Sequence, residues 1–338
     1  INQIFSNNLD LRFALRYENF SSQESLDPKI SIKYQPSDVF ALRFSSSSSF
    51  TMPSMAQMYG SDIVLGSVRD VTGSVFVRQG QIGNPNLKPA KSLNTNLGFL
   101  IFPSNTSSIS FDFFDFRYKD RIEAESAQAM VLNNPSSPSI SRNSSGEITG
   151  VTASYLNEER SFINGLDFSA NVIHDFEKFG SLNFKVSSTT LFYFLTPHHH
   201  EENSNREELI DRVGKFNYDA HTHSLPKNKI NIFLSWNYNE FSLDWASRYV
   251  SGYSNERVII DYAKSLGYTN EVDEFLVHDI SITRSFLLET GKLDLKFGII
   301  NLLNKKAPRL YDAPDFSFDT RLHDPTGRTY NFSIQYQL

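Results

Sequence analysis

The side chains best suited to binding chemistry stand in two polar segments. The first holds Tyr59, Arg69, Asp70, Arg78 and Gln79. Guanidinium groups fork onto carboxylate or phosphate oxygens, and a phenol ring stacks on sugars or cations, so this set suits an anionic or sugar-like ligand. The second holds His198, His199 and His200, followed by Glu201 and Glu202, with His221 and His223 farther along. Imidazole and carboxylate together suit a transition-metal ion. Each set also has a plainer reading. The first can be loop residues packing against neighbouring segments, and the second a solvated polar loop. Spacing alone leaves both readings open.

Covalent chemistry finds no support in the chain. It has no cysteine, which excludes disulfides, thiolate zinc sites and a cysteine nucleophile. It has no glycine-rich phosphate loop, no Gly-x-Ser-x-Gly elbow and no His-Glu-x-x-His pair. Neither an enzyme nor a resident cofactor is expected. The net charge of −6 argues against a nucleic-acid partner, since phosphate binders carry basic surfaces.

The elements that must carry these residues are strands. In the run from Leu9 to Phe20, Leu9, Leu11, Phe13, Leu15 and Tyr17 alternate with Asp10, Arg12, Arg16 and Glu18. Side chains of a strand point alternately to its two faces, so this ribbon has one oily and one charged side. The pattern recurs at Ile30–Tyr34, Phe40–Phe44, Leu93–Ile101, Ile109–Phe113, Leu166–Val172, Leu182–Val186, Ile230–Tyr238, Phe241–Tyr249, Ile280–Ile282, Leu293–Ile299 and Tyr330–Leu338. That makes about twelve strands, long enough to cross a bilayer at a tilt. The charged side collects Arg12, Arg16, Lys33, Arg43, Lys185, Asp244, Arg248 and Lys296.

Connections alternate in length. Short ones fall at 36–38, 103–106, 177–180, 239–240 and 287–291, and Pro, Asn, Asp and Gly supply their turn chemistry. Long polar ones span about 50–91, 124–160, 195–226, 251–274 and 303–327. Short turns at one end and long loops at the other are the asymmetry of membrane β-barrels. Twenty-nine Phe and fifteen Tyr against two Trp suit the aromatic girdles of such a barrel. No stretch reaches the roughly 20 apolar residues of a membrane-spanning helix. The alternative is a soluble β-sandwich or solenoid, whose strands also alternate; in a sandwich a second sheet would cover the oily face.

Several segments, in order, resemble TonB-dependent outer-membrane receptors. Residues 42–60 (LRFSSSSSFTMPSMAQMYG) are similar to that family's strand-then-loop motif, with Thr51 in place of the usual Arg and Met52 in place of the usual Ala. Residues 83–92 (GNPNLKPAKS) are close to its Gly-Asn-Pro-x-Leu-Lys-Pro-Glu box, with Ala90 in place of Glu. In that box the prolines are expected to fix an extended path and Gly83 to permit a bend. Residues 141–151 and 164–172 resemble a long loop and its returning strand. Residues 296–310 resemble the penultimate strand with its Asn-Leu-Phe-Asp-Lys signature. Residues 323–338 resemble the terminal Gly-Arg strand, ending in Leu338 where an aromatic is usual.

The resemblance implies an all-β fold: a transmembrane, antiparallel, up-and-down β-barrel, of which this chain is about the last twelve strands of a 22-stranded cylinder. Residues 1–338 would be one barrel domain. The chain starts at Ile1 rather than Met, which reads as a fragment or processed chain; the resemblance implies a plug domain and TonB box upstream, the alternative being a self-closed smaller barrel. The implied location is the outer membrane of a Gram-negative bacterium. The implied function is TonB-dependent active uptake of a scarce nutrient, foremost a ferric siderophore, otherwise an oligosaccharide or other bulky nutrient. The implied partners are the TonB–ExbB–ExbD complex, outer-membrane lipid and lipopolysaccharide, and the small nutrient itself. Other classes stay open at this point: a passive porin-like channel, an outer-membrane enzyme, or a surface adhesin.

Overall fold

The computed structural model describes residues 8–20, 23–70, 73–197, 209–217, 223–311, 313 and 316–338. Among them, twelve strands form one antiparallel ladder in chain order. They are β1 (Leu9–Phe20), β2 (Gln23–Ser37), β3 (Phe40–Thr51), β4 (Ala90–Ser104), β5 (Ser107–Ala124), β6 (Ile148–Asp175), β7 (Ser181–Pro197), β8 (Asn228–Tyr238), β9 (Phe241–Val250), β10 (Phe275–Leu288), β11 (Gly291–Ile300) and β12 (Thr329–Gln337). Each strand from β2 to β11 pairs with the strand before and the strand after it. The outer edges of β1 and β12 meet no strand among the described residues.

Register converts the alternation of single strands into two continuous surfaces. One row reads Tyr34–Leu42–Phe99–Phe111–Phe168 across β2 to β6. Another reads Leu234–Trp245–Ile280–Ile299–Tyr330 across β8 to β12. This oily side is uncovered: Phe99, Phe111, Phe297, Phe332 and Ile334 all stand exposed. Among the described residues no second sheet packs on it, which removes the sandwich alternative. At the short-turn end the belt finishes in anchored aromatics. Trp236 Nε1 donates to Phe179 O at 2.7 Å, and Tyr336 Oη lies 2.6 Å from Thr290 Oγ1. Such amphipathic rings suit a headgroup boundary.

The opposite side is concave and polar. It holds a hollow of about 590 Å³ lined by Arg12, Lys29, Lys33 and Arg43, and a second lined by Lys185 and Arg248. Its polar side chains satisfy one another across strands. Asp244 accepts from Ser235 Oγ at 2.8 Å and Ser281 Oγ at 3.2 Å, with Lys296 Nζ at 3.8 Å. Arg43 on β3 reaches over β4 to Asp112 on β5, its Nε donating to Oδ1 at 2.7 Å. Between them in register stands Gly98. A Cβ there would lie 2.6 Å from Arg43 Nε. The missing side chain is the space the ion pair occupies.

The short turns behave as their residues require. Asn239 adopts a left-handed φ of 50° in the two-residue β8–β9 turn, as does Glu177 (φ 49°) in the β6–β7 turn. Asn carries such a φ at lower cost than most residues.

The long connections are more ordered than polar composition suggested. Residues 52–89 contain a helix (Met55–Tyr59) and a hairpin (Ser61–Asp70 with Gly73–Ile82). Residues 125–147 contain a second helix (Ala127–Asn133) and a short strand (Ile140–Arg142). β6 begins at Ile148, well above the expected loop end near 160. Its extension pairs in parallel with Gly73–Ile82 and antiparallel with Ile140–Arg142. These pieces enclose a core of Val68, Val77, Met130, Val131, Ile140, Ile148, Val151 and Ala153. Each buried side chain of Val or Met size contributes about 1.5–3 kcal/mol, enough to hold two loops as one cap. Gln128 closes the free edge of the hairpin: its side-chain amide accepts from Arg69 N at 2.8 Å and donates to Arg69 O at 3.0 Å.

Gly83 has a different role from the expected bend. It has no left-handed φ. An added Cβ would lie 2.5 Å from the Met58 carbonyl carbon, so glycine is needed for close approach to the first helix. Asn84 Nδ2 donates to Tyr155 O at 2.9 Å, and Lys88 N to Asn157 Oδ1 at 2.7 Å. The box therefore clamps the first loop to the β6 extension.

Placing a side chain at Gly98 tests this account of the inner wall. Gly98→Val should displace the Arg43–Asp112 pair and lower barrel stability by about 1–3 kcal/mol, the usual cost of overpacking. The midpoint of denaturant unfolding of the full-length protein in detergent checks it; an unchanged midpoint would remove the gap's importance.

Candidate functional site

The ring of long connections sits at one end of the ladder. The hairpin carries most of the residues singled out from sequence. Tyr59 ends the first helix and is exposed. Arg69 and Asp70 close the strand Ser61–Asp70, while Arg78 and Gln79 lie on Gly73–Ile82. Hairpin register puts Leu65 opposite Arg78 and Ser74 opposite Arg69, so both guanidiniums share one face. Asp70 and Gln79 lie on the other. Asp70 accepts from Arg142 Nη1 at 2.9 Å, and Gln79 Nε2 donates to Ser67 O at 3.3 Å. The five residues do not converge on a single point.

Arg69 instead reaches across to other loops. Its guanidinium stands 5.1 Å from the Tyr311 ring centroid. Tyr311 meets Tyr268 edge-on at 5.8 Å, and Arg309 stands 5.6 Å from the Tyr268 ring. Asn255 Nδ2 donates to Tyr311 O at 2.9 Å, and Arg309 Nη1 to Leu266 O at 2.7 Å. Arg69, Tyr311, Tyr268 and Arg309 thus form a cation–ring chain joining residues 52–89, 251–274 and 301–328. Tyr268, Arg309 and Tyr311 were not singled out from sequence. Each is one aromatic or one cation in a polar loop, and only folding brings them together.

The inner face of β8 to β11 and the returning last loop enclose a cleft of about 240 Å³. Its polar lining includes Lys229, Arg248, Asn301, Arg321 and Asp324. Arg248 Nη2 donates to Asp279 Oδ1 at 3.1 Å, and the same oxygen accepts from Asn301 N at 2.8 Å. The side chains of Lys229 and Arg321 meet no carboxylate partner among the described residues. Asp324 is held below the usual carboxylate range by hydrogen bonds from the Thr326 hydroxyl and backbone. Free cations beside rings suit an anionic, partly aromatic ligand. No nucleophile–base pair is arranged among the described residues of this cleft.

A buried cluster supports this mouth. Phe216, Tyr253, Val272 and Leu310 form its apolar core. His323, 3% exposed, stacks on Tyr253 at 6.2 Å and meets the Phe275 ring edge-on at 5.0 Å. Burial pushes its pKa down to about 4; the nearby Asp319 charge opposes the shift and Lys229 adds to it. Burial likewise pushes the Tyr253 phenol up to about 12, a hydrogen bond with Ser224 opposing and Asp319 adding.

The histidine-rich segment falls largely outside the described residues. His198, His199, His200 and His221 fall outside the described residues, as does the side chain of His223, whose backbone begins the strand His223–Leu225. Among the described residues no three His, Cys, Asp or Glu side chains group as metal ligands.

A one-sheet wall, oily outside and wet inside, with a cation- and ring-bearing end, is the wall of a membrane β-barrel. The chain belongs to the TonB-dependent receptor β-barrel family, whose "TonB dependent receptor-like, beta-barrel" description matches residues 2–302. It is similar in structure to the siderophore receptor PirA from Acinetobacter baumannii, at 18% identity and TM-score 0.64, over 99% of this chain and 44% of that one. It is also similar to an enterobactin-bound variant of the ferric enterobactin receptor PfeA from Pseudomonas aeruginosa (15% identity, TM-score 0.64, 98% and 44% coverage). A third is the FrpB iron transporter from Neisseria meningitidis (13%, 0.58, 98% and 42%). Identities this low establish the fold alone. The chain spans less than half the length of these structures. No curated protein sequence matches it significantly.

The buried imidazole sets a pH dependence. Its folded-state pKa of about 4 lies below the ordinary 6.5, so the folded mouth favours the neutral form. Stability is full above pH 6.5 and falls by up to about 3 kcal/mol as pH drops toward 4. The unfolding midpoint of the wild type should fall between about pH 7 and pH 4.5, and that of His323→Gln should fall less. Equal pH dependence of the two proteins would exclude His323 as the cause.

Proposed function

We propose that this chain is the barrel wall and ligand gate of a TonB-dependent importer in the outer membrane of a Gram-negative bacterium, and that it performs no covalent chemistry. One observation carries the reading: in a chain of this family, a twelve-stranded ladder leaves one uncovered apolar face around an inner polar one. An uncovered belt of Phe, Leu, Ile and Tyr is stable against hydrocarbon and costly against water. The caps all stand at one end, which is then the outer side. The open edges of β1 and β12 need partners, because unpaired N–H and C=O groups in lipid cost several kcal/mol each. Further strands of the same protein are the natural partners, and a plug domain would meet the inner hollow, where Lys29 and Lys33 carry no counter-ion among the described residues.

A ferric siderophore is the favoured cargo. The mouth offers Arg69, Lys229, Arg248 and Arg321 with the Tyr268 and Tyr311 rings, and iron-loaded siderophores present negative charge around an organic shell. The named ligands of the similar receptors point the same way. Energy would come from the TonB–ExbB–ExbD complex, pulling on a segment upstream of this chain.

Two outcomes are expected. Uptake of a radiolabelled ferric siderophore by cells making the full-length protein should vanish when TonB is deleted; uptake indifferent to TonB would favour a passive pore. With TonB present, the double variant Arg69→Gln/Arg321→Gln should raise the half-saturating concentration about tenfold or more, two charge-assisted contacts being worth at least 1.4 kcal/mol together. Its maximal rate should stay near wild type. An unchanged half-saturating concentration would remove these two cations from the binding surface.

A further inference from the structure

The sheet of the first cap has one open edge. It runs from Ile140–Arg142 through the β6 extension and Gly73–Ile82 to Ser61–Asp70, which is outermost. Gln128 takes both backbone groups of Arg69 on that outer side. In an antiparallel ladder the N–H and C=O of one residue point the same way, and successive residues alternate. The backbone groups of Ser67, Leu65, Ile63 and Ser61 therefore also point outward, away from Gly73–Ile82.

This edge is lightly guarded. Ile63 N donates to the neighbouring Asp62 Oδ1 at 2.9 Å, and Gln79 Nε2 donates to Ser67 O at 3.3 Å. Between them, the outward groups of Leu65 meet no partner among the described residues. Edges are usually blunted by lysine, proline or a bulge. Ser61–Ser67 has none of these. It carries instead three consecutive apolar residues in the open: Ile63, Val64 and Leu65 are 65, 54 and 75% exposed. Phe76, opposite Ser67 on the neighbouring strand, is 83% exposed. Val68 and Val77 of the same hairpin are buried in the cap core. The exposure thus belongs to the edge and not to a loosely packed hairpin.

The two faces of the hairpin differ in charge. Ile63, Leu65 and Ser67 share one face with Phe76 and Arg78. Asp62 and Asp70 lie on the other, where Arg142 holds Asp70. Arg78 is exposed and forms no ion pair or hydrogen bond among the described residues. A strand added along the edge would set its side chains about 5 Å from those directly opposite. Residues opposite Ile63 and Leu65 would meet apolar side chains. A carboxylate opposite Ser67 would lie on the face of Arg78, and the small Ser67 leaves the path between them open, as Gly98 does for Arg43.

We propose that Ser61–Ser67 is a docking edge for an extended segment of a second protein, which joins the cap sheet as an added antiparallel strand. Read from its N-terminal end, the segment carries an acidic residue opposite Ser67, then apolar residues opposite Leu65 and Ile63, with one residue between each. Main-chain bonds to the outward groups hold it, and antiparallel pairing is the stronger arrangement per residue. Charge complementarity to Arg78 fixes its direction. Docking covers Ile63, Val64 and Leu65 and gives the open backbone groups partners. None of these residues lines the cleft between β8 and β11, so this role stands apart from cargo binding there.

The probe is a displayed library of random peptides long enough to span Ser61–Ser67, selected against the full-length protein in detergent. Selection should enrich the order acidic-x-apolar-x-apolar, and the enriched peptide, once synthesised, should slow hydrogen exchange of the Leu65 amide. Leu65→Pro removes one outward N–H and leaves the hairpin's own bonds in place. It should weaken the peptide about tenfold or more. Slow exchange at Val64, whose N–H points to Gly73–Ile82, reports that the hairpin is folded. Leu65→Lys, which puts a charge in place of the apolar contact, serves should proline disrupt it. Selection against Arg78→Gln should lose the acidic position and keep the apolar ones. A selected set lacking the order, or affinity for Leu65→Pro within about threefold of wild type, would overturn the docking edge. So would a Leu65 amide already protected in the peptide-free protein, because its own chain would then cover the edge. An acidic preference kept by Arg78→Gln would overturn the charge match. TonB-dependent uptake by Leu65→Pro should equal wild type. Failure of peptide docking with intact uptake therefore leaves the importer reading standing, and TonB-independent uptake with intact docking sinks that reading alone.

Discussion

A backbone amide in hydrocarbon has no water to fall back on, and the architecture of this chain follows from that. Every wall strand from β2 to β11 gives its hydrogen bonds to two neighbours, and chain-order pairing from β1 to β12 supplies them with the shortest connections available. Once the ladder forms, strand alternation leaves no freedom about which side chains meet which solvent. Phe99 and Phe111 share a row because Arg43 and Asp112 share the row behind it. A slip of one residue in one strand would turn an arginine to lipid and a phenylalanine to the lumen, which makes the register self-enforcing.

Small residues and inverted backbone then tune this wall. Gly98 is a hole that two charged side chains on flanking strands fill together. Asp120 turns β5 over, so that Arg121 goes inward to Glu158 after Lys119 has pointed outward. The strands above the wall's upper rim feed a protein-like cap with its own apolar core.

The mouth owes its chemistry to that cap and its neighbour. Arg69 is held by Gln128 on its backbone and projects its guanidinium to a ring from a segment more than two hundred residues away in sequence. The His323–Tyr253 cluster props the floor beneath. Binding surfaces built from loops on a rigid scaffold can vary in cargo without disturbing the scaffold. That separation accounts for a family-wide fold at low sequence identity.

Alternation alone determined that Leu9–Tyr17 and its eleven successors are strands with one oily side, because period two is a local property that needs no partner. It also determined the alternating long and short connections, and hence which end bears the caps. What was not legible was anything requiring two distant segments at once. The hairpin at 61–82 read as loop because its apolar residues pair with a β6 extension that no local pattern announces. Gly83 read as a bend, whereas the need is room for Met58. Tyr268, Arg309 and Tyr311 looked like ordinary loop residues. Register and loop packing decided those, since proximity between strands is set by tertiary hydrogen bonding rather than by spacing along the chain.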